Sequence, residues 1–60
     1  MRLKVGDLVR MRENRSVIYG GQLGIVEKAE KYTHWWPYHV RFIATGERLW
    51  LAKEDLERAS

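Results

Sequence analysis

Sixty residues provide for one small core, and the absence of cysteine excludes disulfides, thiolate metal sites and cysteine nucleophiles. Eleven Lys and Arg against eight Asp and Glu leave a net charge of +3, too slight to define a partner by itself. No run approaches the ~20 apolar residues of a membrane-spanning helix. The charged start, Met1-Arg2-Leu3-Lys4, is not followed by the apolar stretch of a signal peptide, so a cytoplasmic protein with no membrane association is expected.

Turn signals at Val5-Gly6-Asp7, Gly20-Gly21, Pro37 and Thr45-Gly46 cut the chain into short segments, the pattern of an all-β fold. The first segment, residues 7–12, alternates. Val9 and Met11 share one face, and Arg10 and Arg12 share the other with Leu8. A polar loop, Glu13 to Ser16, then leads through Val17, Ile18 and Tyr19 to the glycine pair. The second segment runs from Gln22 to about Lys31, and Gly24 inside it predicts a bend or a close backbone approach. In the third, residues 38–43, Tyr38, Val40 and Phe42 align against His39 and Arg41. The fourth, residues 47–51, sets Trp50 opposite Leu49 and Leu51, and period alone does not choose which side is buried. Residues 52–58 have helix propensity and an i,i+4 pair, Glu54 with Arg58, but are too few to hold a helix unaided. A 3-10 turn followed by a short closing strand, with Leu56 in the core, is the equal alternative.

The basic excess lies in residues 1–15, where Arg2, Lys4, Arg10, Arg12 and Arg15 stand against Asp7 and Glu13. Lys4, Arg10, Arg12 and Arg15 form a candidate basic surface. The most unusual stretch is Tyr32-Thr33-His34-Trp35-Trp36-Pro37-Tyr38, in which proline stiffens a loop carrying two tryptophans. Large aromatics on a stiff loop anchor contacts at low entropic cost, and they also stack on bases. The other reading is that one tryptophan folds over the open end of the core and seals it; the two outcomes are compatible. Tyr32, His34, Trp35, Trp36 and Tyr38 are therefore candidate partner contacts, with Tyr19 expected to meet Trp35 or Trp36 in one groove and Trp50 as a further candidate.

Neither His34 nor His39 has a serine, cysteine or carboxylate at triad spacing. A two-histidine metal site would need a third ligand from Glu54, Asp55 and Glu57, which read more simply as a solvated turn. No catalytic residue, metal or cofactor is expected.

Val5-Gly6-Asp7-Leu8-Val9-Arg10, Gly24-Ile25-Val26, Val40-Arg41-Phe42, Trp50-Leu51 and Asp55-Leu56-Glu57 together resemble a widespread group of small SH3-like barrels. The first half looks like the KOW-type ribosomal and transcription modules. Most of the length is similar to the SH3-like peripheral subunit of photosystem I, with Trp36-Pro37-Tyr38-His39-Val40-Arg41-Phe42 matching its third strand, tyrosine and proline reversed. Short bacteriophage proteins, cyanophage ones among them, look alike too. The resemblance covers residues 4–58 and implies an all-β fold, a small SH3-like barrel of about five short antiparallel strands. Type B dihydrofolate reductases, whose active site forms across an oligomer, share the Gly6-Asp7 start and the Leu56-Glu57-Arg58 end. Where their active strand lies this chain has Leu49-Trp50-Leu51-Ala52, and that activity is not carried over.

The expectation is one domain over residues 1–60 acting as a non-enzymatic adaptor, docked to a larger protein assembly through the aromatic loop and basic face. A nucleic-acid-binding module is the alternative, and homo-oligomerisation a third possibility, since a small core with several aromatics gains from burying them against a copy.

Overall fold

Alternating segments separated by glycine turns pair with their neighbours in sequence, and the result is a meander. The computed structural model describes residues 2–30 and 35–59. Among these it has five strands: β1 (Leu8–Met11), β2 (Leu23–Ala29), β3 (Tyr38–Phe42), β4 (Arg48–Leu51) and β5 (Leu56–Arg58). They form one antiparallel sheet in the order β4-β3-β2-β1-β5, so the chain's last strand returns to its first. This all-β arrangement is compatible with an SH3-like barrel.

One 3-10 turn, Lys53–Asp55, immediately precedes β5, where the carboxylate of Asp55 accepts the Ala52 N–H at 3.0 Å. A second, Glu13–Arg15, lies in the loop after β1, which the polar composition of that loop does not announce. Because residues 56–58 are a strand, Glu54 and Arg58 do not form a helical pair. Arg58 reaches instead to Asp7 Oδ2 at 3.5 Å and to the carbonyl of Arg2 at 2.8 Å.

The inward faces of the strands supply the core. Val9, Met11, Val26, Val40, Phe42 and Leu56 are buried as alternation expects, and Leu3 and Leu51 join them. Leu51 answers the ambiguity of β4: its inward side carries Leu49 and Leu51, its outward side Arg48 and Trp50. Among the described residues no polar or charged side chain is buried with them.

Gly24 stands between Val9 of β1 and Phe42 of β3. A Cβ there would lie 2.5 Å from Val40 Cγ1 and 3.1 Å from the Arg41 carbonyl oxygen, so the position is glycine for want of space. A register shift between Val26 and Lys28 then bends β2. At the β3–β4 turn, Gly46 takes φ +76°, a conformation that side chains with a Cβ resist.

Candidate functional site

Strand register sorts the candidate residues into two ends of the sheet. Tyr19 comes from the loop before β2 and lies over Phe42, the last residue of β3, with ring centroids 5.0 Å apart. Trp35 and Trp36 precede Tyr38, the first residue of that strand. A five-residue strand is about 13 Å from first Cα to last. Tyr19 and the tryptophans therefore sit at opposite ends of β3, and the single groove expected to unite them is not formed. Tyr19 closes the core at its own end and is held there by its hydroxyl, which donates to Glu47 Oε2 at 2.8 Å.

Trp35 and Trp36 are 72% and 58% exposed, so neither seals the core. Tyr38 is half-buried and packs against the core. Tyr32 and His34 fall outside the described residues. Beside the tryptophans an open groove of about 660 Å³ is lined by Leu3, Pro37 and Tyr38 together with Arg2, Lys4 and Glu30. Lys4 is thus the one member of the expected basic surface that shares the tryptophan end.

The three arginines of that surface lie toward the Tyr19 end and are partly occupied. Arg10 donates to the Gly21 carbonyl at 3.3 Å. Arg12 meets Glu57 at 3.5 Å, and Arg15 meets Asp55 at 3.4 Å while also donating to the Glu54 carbonyl. These exposed pairs contribute little to stability. Their consequence is electrostatic: the acids of the Lys53–Asp55 turn and β5 offset the charge that composition places on β1 and the loop after it.

No family model, curated protein or solved structure matches this chain.

On the outward face of β3 and β4 the structure adds residues that the sequence reading did not group. His39 stands opposite Trp50, and their rings stack with centroids 4.5 Å apart and planes 14° from parallel. Trp50 remains 41% exposed. Lys28 of β2 is on the other flank of His39. One row further along, Arg41 and Arg48 stand directly opposite each other, an arrangement that like charge disfavours. Glu27 answers both, accepting from Arg41 Nε at 2.9 Å and Arg48 Nε at 2.8 Å. These bonds, from Arg48 first and Arg41 second, hold the Glu27 carboxyl below the ordinary range. Sequence reading could not have found this row: counting out from a two-residue turn at Thr45-Gly46 pairs Arg41 with Trp50, whereas the loop that closes the hairpin runs over residues 43–46 and shifts the register.

Among the described residues no three His, Cys, Asp or Glu side chains gather as metal ligands, and no helix is long and apolar enough to cross a membrane. What the surface offers is apolar area, aromatic faces and scattered cations.

Proposed function

We propose that this protein is a non-enzymatic docking module that attaches to a protein surface through the end of the sheet carrying Trp35 and Trp36. The observation that carries the reading is the exposure of both tryptophans on a proline-stiffened connection beside the groove lined by Leu3, Pro37 and Tyr38. Exposed indole pairs leave a large apolar area in water, and their burial against a partner supplies most of the binding energy of many interfaces. Lys4 and Arg2 in the same groove add orientation through charge. The finer likeness to small SH3-like barrels, the photosystem I subunit among them, agrees with an adaptor role and belongs to the same proposal.

Nucleic-acid binding is the alternative, and the pairing of Arg12 and Arg15 with Glu57 and Asp55 counts against it. A phosphate-binding face needs cations that its own acids do not neutralise. The test is affinity capture from the native host with the wild-type chain and the Trp35→Ala and Trp36→Ala variants, alongside titration of a labelled oligonucleotide at two salt concentrations. A protein retained by wild type and lost with either variant supports docking. Equal retention by both variants, or oligonucleotide binding that weakens steeply with salt, overturns it.

A further inference from the structure

The chain before β1 parts from β2 before β2 ends. Val26 is still held on that side: its N–H donates to the Asp7 carbonyl at 3.1 Å, and its carbonyl accepts from Gly6 at 2.8 Å. At Gly6 the backbone takes φ +94°, the Asp7 N–H donates to the Lys4 carbonyl, and the Asp7 carboxylate accepts the Lys4 N–H at 2.9 Å. This turn carries residues 2–5 away from β2, and Leu3 is buried. Among the described residues no strand pairs with Ala29 on that side.

The β2–β3 ladder fixes where the backbone of Ala29 points. The Glu30 N–H donates to the Pro37 carbonyl at 2.7 Å, so Ala29 and Tyr38 form the adjacent non-hydrogen-bonded pair. The N–H and C=O of Ala29 therefore face away from β3, into the groove whose other wall is residues 2–5. Among the described residues no backbone group outside the ladder bonds to either. The same groove collects cations that the fold leaves unpaired. Arg10, Arg12, Arg15, Arg41, Arg48 and Arg58 each spend their guanidinium on an acid or a carbonyl within the chain. The guanidinium of Arg2 has no such partner among the described residues, and Arg2 lines the groove with Lys4, where Glu30 is the one acid.

We infer that this groove takes an acidic, extended peptide segment, which adds to the free edge of β2 at Ala29. The inference rests on the docking proposed above and names what docks. A peptide main chain supplies both the C=O and the N–H that Ala29 lacks, whereas a phosphodiester backbone offers no N–H for the Ala29 carbonyl. Apolar side chains of the segment rest on Leu3, Pro37 and Tyr38, and its carboxylates meet Arg2 and Lys4. An opening of about 660 Å³ admits one strand and not the face of a folded domain.

Two variants separate the backbone contact from the charge. Ala29→Pro removes the outward N–H without taking a bond from the β3 ladder, and Arg2→Glu/Lys4→Glu reverses the cations. Peptides selected by the full chain from a random linear library should carry more Asp and Glu than Lys and Arg. Each variant should bind them about tenfold more weakly. Hydrogen exchange reads the edge directly: in the free chain the Ala29 amide should exchange fast while the bonded Val26 amide is protected, and a selected peptide should slow Ala29. No selected peptide, peptides without an acidic excess, equal binding by either variant, or an Ala29 amide that saturating peptide leaves unprotected overturns the inference. Should Ala29→Pro fail to fold, exchange on the wild-type chain still decides it. Failure of the docking itself looks different, as a host partner that the Trp35→Ala and Trp36→Ala variants both retain. A partner lost with those variants but held at full strength by Ala29→Pro and Arg2→Glu/Lys4→Glu leaves docking in place and sinks the peptide.

Discussion

The ring of Tyr19 lies on that of Phe42, their planes 18° from parallel, and its hydroxyl donates to Glu47 at the start of the neighbouring hairpin arm. One loop residue thus closes an end of the core that no strand residue covers, and ties the loop before β2 to the β3–β4 turn. At the other end of β3 it is Tyr38 that packs on the core, and the tryptophans stand exposed.

The Glu47 contact makes Tyr19 a reporter. Its hydrogen bond to Glu47 comes first, with burial and the carboxylate's charge adding to it, and all three raise the phenol above its ordinary value of 10.0. The proton is therefore held more tightly in the folded state. The stabilisation is fully present below about pH 10 and is lost as pH rises through the raised value. Ultraviolet titration of wild type minus Tyr19→Phe should place this tyrosine above 10.0, and Glu47→Ala should return it toward that value. A tyrosine titrating at its ordinary value in the wild type would contradict the contact.

Glu27 works in the opposite sense. Its carboxyl is held below the ordinary 4.5, by Arg48 first and Arg41 second. Its contribution is present above pH 4.5 and fades as pH falls through the lowered value. Melting temperature followed into the acid range should fall less steeply in Glu27→Gln than in wild type, because the variant has already lost the pair. Added salt should narrow the gap between the two at neutral pH, since the arginines are exposed and screened.

Gly24 has no tolerance for a side chain. Alanine would place its Cβ against Val40, which is itself fully buried and cannot step aside into solvent. Gly24→Ala is expected to cost about 1–3 kcal/mol, the range for overpacked cores. In a domain of this size each kcal/mol lowers the melting temperature by roughly 4–8 °C. Thermal denaturation checks it, and an unchanged midpoint would mean that β2 and β3 are not packed this closely.

How much of this was legible in the sequence follows from how far each feature's cause extends along the chain. Val9 with Met11, and Val40 with Phe42, obey a two-residue period that any strand must show, so their burial is readable locally. The closing 3-10 turn and Leu56 follow from a segment too short to be a helix. Tyr19 lies in an aperiodic loop, and its place over Phe42 depends on where β3 ends. The pairing of Arg12 with Glu57 joins residues 45 positions apart. It exists only because β5 returns to β1, which no local pattern encodes. The arginine face therefore looked freer in the sequence than it is. Trp35 and Trp36 were open for a related reason: an aromatic pair in a loop has no period, and its exposure depends on whether another side chain already closes the core.

That last point can be measured. If Tyr19 seals one end and the tryptophans stand in water, removing the indoles should leave folding nearly untouched. Exposed positions outside the core ordinarily shift stability by no more than about 0.5 kcal/mol. The double variant Trp35→Ala/Trp36→Ala is accordingly expected to melt close to wild type, whereas Phe42→Ala, which empties a fully buried site, should cost about 3–5 kcal/mol. Tryptophan fluorescence gives a second readout: a water-soluble quencher should reach most of the wild-type emission, since Trp35, Trp36 and Trp50 are all exposed. A double variant that loses several kcal/mol would return the tryptophans to the core and remove the surface on which the docking proposal stands.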